Sequence, residues 1–301
     1  MKKILLIVNP CSGKRKSRKK VDDIVKSLSD KSNDITVKQT EYSGHASKIA
    51  EEYGESFDEI MCSGGDGTLN EVINGIMALN KRPKLTYIPN GTTNDSAKTL
   101  SIPITIIGLR QMVKNNTYNK CDIGLFNNRH FFCAVSFGFG ARASFTTKQS
   151  LKNKIGHFAY ILSAITHLND IKPIKMNIEY DGNIIADEFL FGAVINTRSV
   201  GGIFKLDKNI FRINDGKFEI LLVKKLSNII ELPIMLLKLQ QKKYDGKHVI
   251  LIQADKIQFS SPNKVSWLID GEFAGDLTDV SVLNENKAIE ICCPDSVIFN
   301  K

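Results

Sequence analysis

Residues 59–77 read EIMCSGGDGTLNEVINGIM. The short apolar run Ile60-Met61-Cys62 is closed by Gly64-Gly65-Asp66-Gly67, and Thr68-x-x-Glu71 has the pattern of a capping box that opens a helix. The stretch predicts a strand, a glycine loop and a helix. Glycines let backbone N–H groups converge without obstruction by Cβ, and a helix start adds unpaired N–H groups at the positive end of its dipole. Such a loop is a cradle for phosphate. A carboxylate inside it, here Asp66, is tolerable where it meets a metal ion, a cation or a proton in transfer. A plain glycine turn with a solvated Asp66 fits the same residues, and this stretch alone does not separate the two.

Working outward, the strand and helix alternation repeats on both sides. Residues 4–8 form a continuous apolar run, as a strand covered on both faces requires, and Asn9-Pro10-Cys11-Ser12-Gly13-Lys14 turns out of it. The basic stretch 14–20 then enters the helical pattern Val21, Ile24, Val25, Leu28. A second strand is predicted near 35–38, followed by Thr40 and a helix near 46–53. A fourth begins at Leu85 and ends in Pro89-Asn90-Gly91-Thr92-Thr93-Asn94-Asp95; a helix near 105–114 and a turn at Asp122-Ile123-Gly124 follow. Successive β–α units of this length imply a parallel, doubly wound sheet with ligands at the carboxyl ends of its strands. The special turns at Asn9, Gly64 and Gly91 then share one edge, and that coincidence favours the cradle over the plain turn.

Beyond residue 127 the texture changes. Asp-Gly pairs at Asp181, Asp215 and Asp270 sit beside alternating runs, and Asp-Gly is a tight-hairpin signal, so the second half reads as antiparallel sheet. Two apolar helical stretches, 152–168 and 229–239, are candidates for burial on that sheet or for contact with lipid. The expected organisation is an α/β nucleotide-binding domain over 1–126 and an antiparallel β-sandwich over 127–301, whose last residues return to the first domain.

Composition bounds the function. A length of 301 residues, 42% hydrophobic and 24% charged, suits a globular protein of two domains. The formal net charge of +9 fits an anionic partner: nucleotide, nucleic acid or an anionic membrane surface. Six cysteines contain no CxxC pair and the five histidines no HExxH, which argues against a zinc site or a disulfide framework. The apolar run at 4–8 is too short for a signal peptide, and nothing approaches the ~20 apolar residues of a spanning helix. The expected location is the cytoplasm, with visits to the membrane from outside.

Four motifs in order, NPxSG at 9–13, GGDGTxNE at 64–71, PxGTxND at 89–95 and DGE at 270–272, resemble those of the bacterial soluble diacylglycerol kinases, which are similar in fold to sphingosine kinases. The resemblance implies an ATP-dependent lipid kinase that converts diacylglycerol to phosphatidic acid. It implies an ATP site lined by Asn9, Pro10, Cys11, Thr40, Gly65, Asp66, Gly67, Thr68, Leu69, Asn70, Glu71 and Thr92. It further implies that Asp66, Asp95 and Asp122 with Lys14 form a metal and phosphate network, that Glu272 is the general base, and that Mg²⁺ is held by Asp215 with carbonyls of Arg212 and Lys217. The partners implied are a membrane lipid and, transiently, an anionic membrane, with no nucleic acid; an exposed edge strand also allows a homodimer. Other readings are a kinase for sphingosine, ceramide or phosphatidylglycerol, an NAD kinase, or a non-catalytic nucleotide-binding membrane module.

Overall fold

The computed structural model describes residues 1–13, 21–26, 33–138, 172–200, 204–207, 210–228, 231, 235, 241, 244, 246–295 and 298–299. Lys14, the basic stretch 14–20, the helical stretch 152–168 and most of 229–239 lie outside these residues. The chain divides into two compact units. The first comprises 1–133, 196–216 and 284–301, and the second 134–195 and 217–283.

In the first unit, β1 (Lys2–Val8), β2 (Asn33–Gln39), β3 (Glu59–Gly64) and β4 (Lys84–Pro89) are parallel in the order β2-β1-β3-β4. The next position is taken by Ile291 and Cys292, parallel to β4. β1, β3 and β4 are buried along nearly their whole length, which is why they read as unbroken apolar runs. Helices α1 (His45–Tyr53), α2 (Asp66–Met77) and α3 (Asp95–Thr99) follow β2, β3 and β4, α4 (Ile106–Asn115) follows α3, and residues 21–26 are also helical. α1 and α2 pack so closely that a Cβ on Gly75 would lie 2.3 Å from the carbonyl oxygen of Ser47.

The amino ends of these strands are tied by a buried polar cluster. Glu59 is 1% exposed, and Lys2 Nζ lies 2.7 Å from its carboxylate while the Thr86 hydroxyl donates to it. A buried carboxylate left alone would cost several kcal/mol, so the pair fixes the register of β1, β3 and β4 at this end.

Asp122-Ile123-Gly124 is not a turn: all three residues lie in the buried middle of β5 (Tyr118–Phe126), which pairs antiparallel with β6 (Arg129–Phe131). The glycine is needed there because the Phe131 ring covers it, 2.1 Å from where a Cβ would stand. The polar Asp122 is tolerated because backbone amides satisfy it.

The second unit is antiparallel. β7 (Ala134–Gly138) and β8 (Ile174–Tyr180) each pair with both β9 (Asn183–Ile195) and β14 (Lys256–Ile269), so the long strands β9 and β14 close a ring by using one half for each short partner. Phe137, Phe259 and Trp267 fill the interior, with ring centroids 4.9–5.9 Å apart in edge and tilted contacts. β12 (Phe218–Lys224) and β13 (Val249–Ala254) extend the sheet from β9, and β15 (Glu272–Cys292) pairs with β14 before entering the first unit. A separate ribbon joins β10 (Ser199–Val200) to β11 (Phe204–Lys205).

Of the Asp-Gly pairs at Asp181, Asp215 and Asp270, two close two-residue hairpins: Asp181-Gly182 between β8 and β9, and Asp270-Gly271 between β14 and β15, with φ of 47° and 76°, and 48° and 87°. Asp215-Gly216 does not. No strand precedes it to form a hairpin's first arm, because Ile213 is held in the first unit by backbone bonds to Asp122 and Ile298. All six cysteines are free.

Candidate active site

The three special turns of the first unit meet at the carboxyl ends of β1, β3 and β4. Asn9 N donates to Ser63 O and Asn90 N to Gly64 O, at 2.9 and 2.7 Å, which carries each strand's alignment into the loops. Asn9 Nδ2 donates to Thr68 Oγ1 at 2.9 Å, and Asn9 Oδ1 accepts the Cys11 amide at 2.9 Å. A Cβ on Gly91 would lie 2.7 Å from the Gly65 Cα, so the second and third motifs touch backbone to backbone. Asn94, at φ 49°, holds its own loop by accepting Gly91 N and donating to Gly91 O at 2.9 and 2.8 Å, and Tyr87 Oη lies 3.2 Å from Asn94 Oδ1 and 3.3 Å from Gly64 O. Burial and the nearby Asp66 carboxylate push the Tyr87 phenol up, so it stays a donor.

α2 starts at Asp66, one turn earlier than a capping box at Thr68 requires. Its N-cap is Gly65, which offers no side chain, and Thr68 sits inside the first turn with its hydroxyl on Asn9. Glu71 caps a different helix: its two oxygens accept Gly44 N at 2.8 Å and Ala46 N at 3.1 Å, at the start of α1. The capping-box expectation fails because a better-placed pair of orphan amides lies across the fold. The amides of Asp66, Gly67 and Thr68 have no acceptor outside their helix among the described residues.

Asp66 is itself engaged. Its Oδ2 accepts Asp95 N and its Oδ1 accepts Ser96 N, both at 3.1 Å, so it closes the amino end of α3 from a remote position. Asp95 is 6% exposed and pairs with Lys98 at 3.1 Å. Asp122 is fully buried, with its carboxylate receiving Lys287 N and Gly216 N at 2.7 Å each. Burial holds its carboxyl above the ordinary 3.8 against those two bonds, with Asp215 adding to the rise. Asp122 thus ties β5 to both segments that return to the first unit.

Thr40 is buried, its amide on Val8 O at 2.9 Å; Pro10 is half-buried, and Cys11, Gly67 and Thr92 are exposed. Leu69 is fully buried among core residues, and Asn70 accepts from Asn74. Arg212 and Asp215 belong to the first unit; Lys217 and Glu272 belong to the second. Glu272 is exposed at the start of β15, and its side chain meets no partner among the described residues. Its hairpin is fixed by Asp270, whose N–H donates to Ala134 O and whose carboxylate accepts Ala134 N. One carboxylate with backbone carbonyls is an oxygen donor set of the kind a hard cation takes, while no cluster of three or more His, Cys, Asp or Glu exists among the described residues. Tyr87, Ser96 and Lys98 are not among the predicted site residues, and Asn94 enters only as part of the motif at 89–95. Asn94 alone carries a local signal, as the motif residue best able to adopt positive φ.

Residues 3–126 match the diacylglycerol kinase catalytic domain, and residues 133–293 the YegS C-terminal NAD kinase beta sandwich-like domain. The chain is 34% identical over 299 residues to diacylglycerol kinases of Staphylococcus aureus strains RF122 and MRSA252, covering 99% of this chain and 94% of each relative. The chain belongs to the diacylglycerol kinase family. Two solved structures assigned as diacylglycerol kinases of Bacillus anthracis strain Sterne superpose with TM-scores of 0.83 and 0.81 at 26% identity, over 97% of both chains. As a member of the family this chain is a lipid kinase, a phosphotransferase that uses ATP. Its membership accounts for the α/β first unit and the sandwich-like second. No described helix is long and apolar enough to cross a membrane.

Proposed function

We propose that the protein transfers the γ-phosphoryl group of MgATP to the primary hydroxyl of diacylglycerol, at a membrane surface, giving phosphatidic acid. The observation that carries the reading is the open first turn of α2. Three amides with no acceptor outside their helix among the described residues lie beside two glycine loops in backbone contact, and a side chain on Gly91 would fill that place. Phosphoryl transfer needs alignment and charge neutralisation more than covalent chemistry, and amides at a helix start supply both to a polyphosphate.

Each residue has a role in this reading. Asn9, Pro10, Cys11, Thr40, Thr92 and the backbone of 65–71 bind the nucleotide, and Lys14 and Lys98 supply cations. Asp66, which also positions α3, forms with Asp95, Asp122 and Lys14 the acidic network that would hold metal and phosphate. Asp215 with the carbonyls of Arg212 and Lys217 would hold a structural Mg²⁺, which when bound would supply positive charge to neutralise phosphate or carboxylate. Glu272, whose side chain meets no partner among the described residues, accepts the acceptor's hydroxyl proton.

The test is turnover of radiolabelled ATP with diacylglycerol, sphingosine, ceramide, phosphatidylglycerol and NAD, each with and without Mg²⁺. Phosphatidic acid formed only with Mg²⁺ is the expected product. Labelling of another acceptor in preference to diacylglycerol would replace the substrate, and no labelling of any would leave a non-catalytic nucleotide module.

A further inference from the structure

Ile107 is the most exposed large hydrophobic side chain among the described residues, at 82%, and Ile104, at 69%, is exceeded otherwise only by Met1. Both flank the start of α4. Thr105 is the N-cap, its hydroxyl accepting Gly108 N at 3.2 Å, and Gly108 lies against Pro103, where a Cβ would come within 2.6 Å of the ring. The turn that presents the two isoleucines is therefore built and closely packed. A residue just before an N-cap ordinarily folds onto the fourth helical residue. Here that residue, Leu109, is fully buried while Ile104 stands in water.

The stretch of chain that carries them has charge of one sign. From Ser96 to Cys121 the chain carries Lys98, Arg110, Lys114 and Lys120 and no Asp or Glu. Lys98 and Arg110 meet Asp95 and Asp23, whereas Lys114 and Lys120 meet no carboxylate among the described residues. Arg110 and Lys114 follow Ile107 at helical spacings of three and seven, so α4 shows one face that is aliphatic at its start and cationic along its length. Two exposed isoleucines alone would be a solubility defect; with cations behind them they match the layered chemistry of a bilayer surface, acyl chains below anionic phosphates.

The geometry points to the start of α4 as a membrane-docking element, in which Ile104 and Ile107 enter the acyl boundary of an anionic bilayer and Arg110 and Lys114 meet lipid phosphates. The inference rests on the proposed action at a membrane surface and gives it a place in the fold.

The experiment is flotation of the whole protein with phosphatidylglycerol/phosphatidylcholine vesicles that contain no diacylglycerol, alongside turnover of detergent-dispersed diacylglycerol. Ile104→Ser/Ile107→Ser is expected to weaken vesicle binding about tenfold or more, with melting temperature and detergent turnover unchanged. Lys114→Gln is expected to weaken binding to anionic but not to neutral vesicles. Ile107→Trp is expected to shift its emission to the blue on vesicle addition, above the background of the buried Trp267. Wild-type binding retained by the double variant, or an Ile107→Trp emission that vesicles do not move, overturns the inference. So does a change in sedimentation coefficient with protein concentration that the double variant abolishes, since the face would then join two copies of the chain. Loss of detergent turnover for every acceptor in the wild type would sink the kinase reading and leave the docking result standing.

Discussion

The carboxylate of Asp66 accepts the backbone N–H of Asp95 at 3.1 Å, and its other oxygen accepts that of Ser96. A motif acid of the glycine loop thus builds the amino end of the helix that carries another motif acid. Asp66→Ala is expected to leave two amides unpaired, costing about 0.5–2 kcal/mol of stability as other lost caps do, and to abolish turnover by moving Asp95. Melting curves and steady-state kinetics check both. A folded Asp66→Ala protein with ordinary turnover would return the loop to a plain turn.

The contact between Gly65 and Gly91 leaves no room for a methyl group. Gly91→Ala is expected to part the two loops by the better part of an ångström and to lower kcat/KM for ATP on the order of 10²-fold, with the fold retained. Nucleotide titration and circular dichroism decide it.

Glu272 and Asp215 are expected to fail differently. Glu272 is exposed, so Glu272→Gln is expected to change stability by no more than about 0.5 kcal/mol while turnover falls on the order of 10²-fold and ATP affinity holds. Asp215 sits beside the buried Asp122 and the strut it makes with Gly216 and Lys287, so Asp215→Asn is expected to lower the melting temperature or Mg²⁺ retention first. Kinetics, ATP titration and melting curves on both variants make the comparison. An early-melting Glu272→Gln enzyme with normal turnover would reverse the two assignments.

Asp122 gives the fold a pH dependence of defined sign. Its carboxyl is held above 3.8 by burial. Below 3.8 folded and unfolded chains both keep the proton; as pH rises past it, the unfolded chain releases the proton first, so the folded state is disfavoured progressively until its own carboxyl ionises. Above that point the penalty is constant. Denaturant unfolding from pH 3.8 to neutrality should show the stability gap between wild type and Asp122→Asn shrinking as pH rises. A gap that widens would mean the two amides outweigh burial.

Much of the architecture is written in local chemistry. The β–α alternation of the first 126 residues follows from apolar runs and glycine loops, and the hairpins at Asp181 and Asp270 from residues that accept positive φ, because both signals act within a few residues along the chain. The four motifs likewise carried the family before any coordinate. Tertiary structure alone decided what the carboxylates do. Glu71 serves α1 and not its own helix, Asp66 reaches an amide 30 residues away, and Asp122 meets one 165 residues away. Asp215-Gly216 carries the hairpin dipeptide but receives no partner strand. A carboxylate goes to whichever orphan amide the fold brings nearest, and that choice depends on distances through space that no spacing along the chain records.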